Sequence, residues 1–142
     1  MKLEFHHINL CTSDVPEMDQ FYRKILDLRP EPSLEKYRIK REDGYSGGVA
    51  FQTDGNVQFH HSQRDLEVAL RARKHINPLE RGHLAFRTDD IAAFKKRLED
   101  NGIPYADYGD AFMQKWQQIF FYDPSGNIIE VHQVDETADN PN

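Results

Sequence analysis

The chain has one cysteine, no long apolar run and no excess of positive charge. The single thiol, Cys11, excludes an internal disulfide and suits the reducing cytosol, so a cytoplasmic protein is expected. No apolar run approaches the roughly 20 residues that span a bilayer, and the first residues lack the apolar region of a secretory signal. Association with a membrane is therefore not expected.

The charge balance is acidic: 18 Lys and Arg stand against 24 Asp and Glu, which gives a formal net charge of −6. Proteins that bind nucleic acid usually carry a basic surface, so no nucleic-acid partner is expected. Hydrophobic residues occupy 38% of the 142 positions, which is enough for a packed core and excludes a disordered chain. A chain of this length is expected to form one domain.

An internal repeat divides the chain into two halves. The segment from His7 to Val15 aligns with the segment from His83 to Ile91 at a constant offset of 76 residues, with histidine, threonine and aspartate identical. Asp14 and its counterpart Asp90 stand where a helix N-cap is expected. A helical pattern follows each copy and predicts a buried face. In the first half this face comprises Val15, Met18, Phe21, Tyr22, Ile25 and Leu26, and in the second Ile91, Phe94 and Leu98.

Short strand-like segments follow each helical pattern, separated by turns such as the one at residues 123–127. They are Lys36–Arg41, Gly48–Thr53 and Asn56–His61 in the first half, and Pro104–Tyr108, Gln117–Tyr122 and Asn127–Gln133 in the second. A helix is also predicted over Leu66–Arg73, between the halves. We therefore predict an α+β fold of two tandem βαβββ modules. Their predicted bounds are about 3–62 and about 81–134, with a connection over 63–80 and a polar tail over 135–142.

Residue parity sorts the candidate functional side chains, because side chains alternate between the two faces of a strand. Apolar residues of one parity are assigned to the helix layer, which leaves histidines and a carboxylate on the concave face. The candidate metal ligands on that face are His7, His60, His83 and Glu130. Such nitrogen and oxygen ligands suit Zn, Ni, Co, Mn or Fe. The other interpretation is a row of partly solvated polar side chains that lines an empty groove.

Further residues on the concave face are candidates for binding a substrate. They are Asn9, Gln58, Arg87, Trp116, Gln118 and Phe120. Asn9 and Gln58 flank the candidate ligands and can orient a substrate, and Arg87 can hold an anionic group. The segment Ser62–Arg81 lies beside the expected site, either as a lid that confers specificity or as a connection between the modules.

The sequence resembles the vicinal oxygen chelate superfamily, which includes glyoxalase I, extradiol dioxygenases and bleomycin-resistance proteins. The resemblance covers nearly all of residues 3–134. The motifs that carry it are Phe5-His6-His7-Ile8-Asn9-Leu10, Phe21-Tyr22-Arg23-Lys24-Ile25-Leu26, Gly82-His83-Leu84-Ala85-Phe86 and Asp123-Pro124-Ser125-Gly126-Asn127-Ile128-Ile129-Glu130. It implies a glyoxalase-like fold, in which a curved, half-open mixed sheet surrounds a metal site.

The resemblance also implies a function. One divalent metal ion is expected on His7, His83 and Glu130, with His60 near the position of a fourth ligand, where glyoxalase I usually has glutamate. The implied activity is that of a lyase or isomerase that chelates two neighbouring oxygens of a small metabolite, with Glu130 as general base in a homodimer. The alternatives are an extradiol-type Fe(II) dioxygenase and a metal-free module that binds a drug, as bleomycin-resistance proteins do.

Overall fold

Eight strands form one curved mixed sheet in the computed structural model, which describes residues 1–135. The strands are β1 Leu3–Thr12, β2 Arg29–Pro30, β3 Val49–Thr53, β4 Gln58–Gln63, β5 Gly82–Thr88, β6 Ala106–Gly109, β7 Trp116–Tyr122 and β8 Ile128–Val134. The α-helices are α1 Val15–Leu26, α2 Val68–Ala72 and α3 Ile91–Asp100, and a 3₁₀-helix spans Pro32–Tyr37. The order across the sheet is β2-β3-β4-β1-β5-β8-β7-β6.

The two halves of the repeat meet at the centre of the sheet. Strands β1 and β5, which carry the repeated histidines, are antiparallel neighbours. Each pairs on its other side with the last strand of its own half in parallel, β1 with β4 and β5 with β8. This arrangement confirms the predicted α+β fold of two βαβββ modules around one concave face.

The two equivalent helices begin alike but pack differently. The Asp14 carboxylate accepts a hydrogen bond from the Glu17 amide at 3.0 Å, and Asp90 accepts one from the Ala93 amide at 2.9 Å, as expected of N-caps. Helix α3 buries Ile91, Phe94 and Leu98 against the sheet.

The buried face predicted for the first helix is wrong, since α1 buries none of its residues within the described part of the chain. Phe21 and Ile25 are 52% and 57% exposed. The repeat gives the reason. These two positions correspond to Arg97 of α3 and to Asn101, which caps the end of α3, and both of these residues are also exposed.

One predicted strand is wrong: Lys36–Arg41 forms no strand, because the chain enters a 3₁₀-helix at Pro32 and leaves it at Tyr37. Proline fits the first turn of a helix, where its missing N–H is not needed. After this helix, only Arg38 makes an isolated bridge, to Met113 of the other module. The other predicted strands lie within two residues of the observed ones. The predicted tail falls outside the described residues beyond position 135.

The concave face is packed on both sides of the central strands. One apolar cluster comprises Leu34, Phe51, Met113, Trp116 and Val134, and a second comprises Ile76, Ala106, Tyr108, Phe120 and Ile128. Between them lie the polar side chains of β1, β5 and β8. Within residues 1–135, no helix has both the length and the apolar character needed to cross a membrane.

Candidate metal centre

His7, His83 and Glu130 converge on one point of the concave face. Their ligand atoms lie within 4.8 Å of one another. The Nε2 atom of His83 is 3.0 Å from Glu130 Oε1, and that of His7 is 3.7 Å from the same oxygen. The three side chains come from three adjacent strands, β1, β5 and β8, so the sheet itself sets their spacing.

Hydrogen bonds orient the two imidazoles. His83 Nδ1 lies 3.1 Å from the Pro78 carbonyl oxygen, which can only accept, so Nδ1 carries the proton and Nε2 keeps its lone pair for the site. His7 Nδ1 lies 2.8 Å from His6 Nδ1, which turns His7 Nε2 towards Glu130. Two imidazole nitrogens and one carboxylate oxygen form a donor set that fits a divalent transition metal.

Glu130 is an ionised carboxylate in a buried place, with 1% of its surface exposed. Burial raises the pKa of this carboxyl, but the nearby His7 and the hydrogen bond from His132 outweigh burial and hold the pKa well below its usual value. The opposite effect acts on His7, whose pKa burial lowers well below its ordinary value, with a further contribution from His60. A neutral imidazole beside a charged carboxylate is the protonation state that metal binding requires.

His60 lies against this group without joining it in the described structure. Its ring stacks on that of His7 with centroids 3.9 Å apart, and its Nε2–H donates to the Gln58 amide oxygen at 2.9 Å. Burial, with His6 next in importance, lowers the pKa of His60 well below its ordinary value. His61 points to the other side of β4, where its Nε2 lies 2.8 Å from Gln52 Oε1. The role of His60 as a fourth ligand stays a prediction.

A pocket that is open to solvent contains the group of three ligands. Both modules and the connection between them line this pocket. Of the residues predicted to bind substrate, it includes Asn9, Trp116, Gln118 and Phe120. Pro78 and Leu79 of the connection are buried in its wall, so this part of Ser62–Arg81 is a packed wall of the pocket.

Two buried polar atoms in the pocket wall have no hydrogen-bond partner among the described residues: Trp116 Nε1 and Gln118 Oε1. Their side chains are 2% and 4% exposed. An unpaired buried polar group is costly, and it is common where a ligand supplies the missing partner. Beside the pocket, the pair leaves one donor and one acceptor unpaired within the described residues.

Asn9, Gln58 and Arg87, which are also predicted to bind substrate, form hydrogen bonds with other side chains of the protein. Asn9 Oδ1 accepts from the Ser62 hydroxyl at 2.5 Å, although Asn9 also lines the pocket. Gln58 holds His60. Arg87 is absent from the lining of this pocket in the described structure. Its guanidinium lies 5.2 Å from the Trp116 ring, and its Nε donates to His132.

Arg38 is the charged pocket residue that sequence reasoning missed. Its side chain is almost fully buried, pairs with Glu35 at 3.3 Å and donates to the Gly47 carbonyl oxygen. The sequence carried no signal for this position, because the strand predicted over Lys36–Arg41 does not form. The bridge to Met113, which comes from the other module, places Arg38 at the pocket.

Comparison with known proteins decides the family. Residues 4–131 match the family model described as the Glyoxalase/Bleomycin resistance protein/Dioxygenase superfamily. The chain belongs to this superfamily. The resemblance found in the sequence motifs is thereby confirmed, and the match extends over both modules.

Three similar proteins share between 15% and 26% of their residues with this chain. The chain is 26% identical over 134 residues to a protein of Arabidopsis thaliana named Glyoxylase I 4, covering 92% of this chain and 70% of that protein. A hypothetical protein from Bacillus halodurans C-125 superposes with a TM-score of 0.69 at 18% identity, covering 99% of this chain and 100% of the other. Methylmalonyl-CoA epimerase from Mycobacterium tuberculosis superposes with a TM-score of 0.67 at 15% identity, covering 94% and 89%. These two structural likenesses show the fold.

Proposed function

We propose that this protein is a divalent-metal-dependent enzyme of the glyoxalase-like lyase or isomerase type. Its substrate is a small metabolite with two neighbouring oxygens. The observation that carries the proposal is the placement of His7, His83 and Glu130, whose ligand atoms lie within 4.8 Å of one another inside a pocket. Superfamily membership and the name of the plant relative support the same type of chemistry.

In this proposal His7, His83 and Glu130 hold one ion of Zn, Ni, Co, Mn or Fe, and His60 stands beside them as a candidate fourth ligand. When bound, the ion supplies Lewis acidity to two adjacent substrate oxygens. The three protein ligands leave positions for those oxygens. Trp116, Gln118 and Phe120 line the pocket around the substrate, and the Phe120 side chain excludes water from its apolar part.

Glu130 is the proposed general base. Its lowered pKa keeps the carboxylate ionised at neutral pH, which is the form that accepts a proton from an acidified C–H bond. Low basicity makes Glu130 a weak base, so the C–H bond must be acidified by the neighbouring chelated oxygens. Glu130→Gln is expected to remove turnover, whereas retained turnover in that variant would refute this role.

An Fe(II) dioxygenase is the second candidate function. Two histidines and one carboxylate with open positions are the set that non-haem Fe(II) oxygenases use, and His7, His83 and Glu130 supply it. The bound metal separates the candidates: iron favours oxygen chemistry, and zinc, nickel or cobalt favours the isomerase.

The homodimer is also a proposal. Several large apolar side chains are exposed on the outer side of the sheet and on α1, among them Phe5, Phe21, Ile25, Leu26 and Leu84. Burial of such a surface between two copies would remove it from water. Light scattering is expected to give twice the chain mass, and Phe21→Lys together with Ile25→Lys is expected to give the mass of one chain. A wild-type protein of single-chain mass would contradict the dimer.

The decisive experiment is elemental analysis of protein purified without chelators, next to the His7→Ala, Glu130→Gln double variant. We expect about one transition-metal ion per chain in the wild type and none in the variant. His75→Ala is the control, because His75 is an exposed histidine that does not line the pocket in the described structure. Proton exchange next to a carbonyl, followed by NMR in heavy water, then tests candidate substrates. A wild type that holds no metal even after reconstitution would refute the proposal and favour the metal-free binding module.

A further inference from the structure

We propose that Arg87 and His132 are positioning residues that set the metal affinity of the centre by holding Glu130 in one orientation. This inference rests on the proposed function, since it presumes that His7, His83 and Glu130 bind a metal. Neither residue lines the pocket in the described structure, and neither belongs to the group of three ligands. Both act through the Glu130 oxygen that faces away from His7 and His83.

A hydrogen bond joins His132 to Glu130. His132 Nδ1 lies 2.7 Å from Glu130 Oε2, while Glu130 Oε1 is the oxygen that faces His7 and His83. The two oxygens of the carboxylate therefore have separate partners. A carboxylate fixed at one oxygen presents the other at a defined position.

Arg87 determines which nitrogen of His132 carries the proton. Arg87 Nε lies 3.0 Å from His132 Nε2. A guanidinium can only donate, so His132 Nε2 must accept and keep its lone pair. The ring proton then resides on Nδ1, where it points at Glu130. Loss of Arg87 would free His132 to adopt the other tautomer, in which Nδ1 has no proton to donate.

Packing holds the hydrogen bonds from Arg87 to His132 and from His132 to Glu130 in place. His132 is completely buried and stacks on Trp116 with ring centroids 4.0 Å apart. The Arg87 guanidinium lies 5.2 Å from the centroid of the same indole. Strand register supports the contact, since Arg87 of β5 is paired directly with His132 of β8.

The remaining hydrogen-bonding capacity of Arg87 argues against a purely structural ion pair. Its Nη2 atom is buried and has no hydrogen-bond partner within the described residues. Among residues 1–135 no carboxylate forms a salt bridge with this guanidinium, and its Nε is directed at one imidazole nitrogen, so we infer that it serves that imidazole. Partners that orient metal ligands typically change metal affinity by about 10- to 100-fold when they are lost.

The test is a titration of chelator-treated protein with Co²⁺, which reports affinity and, through its visible absorption spectrum, the geometry of the ligands. His132→Leu removes the donor to Glu130 and is expected to weaken Co²⁺ binding by about 10- to 100-fold. Arg87→Gln is expected to weaken it by about 10-fold and to change the spectrum in the same direction. His132→Asn keeps an N–H donor near the position of Nδ1, so we expect it to restore binding. If His132→Leu does not fold, Arg87→Gln alone carries the test.

The matched control is His61→Leu, which also removes a buried histidine but on the other side of β4. We expect it to lower stability and leave the Co²⁺ affinity and spectrum unchanged. Wild-type affinity in both Arg87→Gln and His132→Leu would overturn this inference and leave the proposed function standing. An equal loss of affinity in His61→Leu would assign the effect to stability and also overturn it. A wild type that binds no Co²⁺ would refute the proposed function itself, and this inference with it.

Discussion

His7 Nε2 lies 3.7 Å from Glu130 Oε1 although a complete strand, β5, separates the strands that carry them. The register explains this proximity. His7 is paired with Ala85, and Ala85 is paired with Glu130, so the three residues form one row across the sheet. The side chain of Ala85 that stands between them is a single methyl group, and it is fully buried.

Enlarging this methyl group should separate the two ligands. In Ala85→Leu the added atoms occupy the space over which His7 and Glu130 meet, so we expect loss of bound metal in elemental analysis. Overpacking is expected to cost a further 1–3 kcal/mol, roughly, in the free energy of unfolding. Ala92→Leu on the exposed side of α3 serves as the control for added volume and should bind metal as the wild type does. Normal metal content in Ala85→Leu would show that the row does not set the site.

Removing the metal should destabilise the protein, because an ion that binds only the folded chain adds its binding free energy to stability. At a free metal concentration of about 100 times the dissociation constant, this contribution is about 2.7 kcal/mol. A chelator should therefore lower the melting temperature of the wild type, and added metal should restore it. In Glu130→Gln the melting temperature should respond to neither treatment. A response of the variant equal to that of the wild type would place the metal elsewhere.

Stability of the metal-free protein should fall as the pH decreases below about 6.5. Burial lowers the pKa values of His7 and His60 well below the ordinary value, so both stay neutral in the folded chain. The unfolded chain takes up protons on these imidazoles near pH 6.5, roughly, and each proton makes unfolding easier by about 1.4 kcal/mol per pH unit. The lowered pKa of Glu130 acts in the same direction at lower pH, since its carboxylate resists protonation only when folded.

Urea midpoints of chelator-treated protein at a neutral and at a mildly acidic pH measure this effect. His60→Gln removes one titrating group and should reduce the slope of stability against pH. His75→Gln, which replaces an exposed histidine outside the pocket lining of the described structure, is the control for the substitution itself. A wild type equally stable on both sides of the imidazole range would contradict the prediction.

Simple alternation along strands predicts most of the residues that the structure brings together in the candidate site. Parity placed His7 and Glu130 on the concave face, and the repeat added His83 as the counterpart of His7, since symmetric modules present equivalent positions to one centre. Parity also placed Arg87 on that face. It could not show that Arg87 meets His132, because that contact depends on the register of β5 with β8, which alternation does not determine.

The exposure of α1 and the position of Arg38 could not be predicted from sequence patterns either, because both depend on contacts between distant segments. The apolar spacing in α1 predicts an amphipathic helix, but it does not say whether the sheet or another surface covers Phe21 and Ile25. Arg38 reaches the pocket from an irregular segment, where no periodicity applies. Local patterns therefore predict the strands and their faces, whereas the pocket is formed by contacts between the modules, which those patterns do not predict.

Gly82, the first residue of β5, fixes the approach of β5 to β1 and so the position of His83. Its φ is +137°, and a Cβ atom there would lie 2.3 Å from the carbonyl oxygen of Asn9. Gly82→Ala is therefore expected to lower the free energy of unfolding by about 2 kcal/mol or more, through both strain and collision with backbone. Because the collision would shift the start of β5, metal affinity should fall as well. Urea unfolding and a Co²⁺ titration measure the two effects.

Two other glycines separate the causes. Gly102 also has a positive φ, +66°, but a Cβ there meets nothing within 4 Å, so Gly102→Ala should cost only the strain, about 1 kcal/mol, and leave metal affinity unchanged. Gly48 has neither a positive φ nor a neighbour within 4 Å, and Gly48→Ala should be close to neutral. If Gly82→Ala resembled Gly102→Ala in both measurements, the close contact with Asn9 would not be what positions His83.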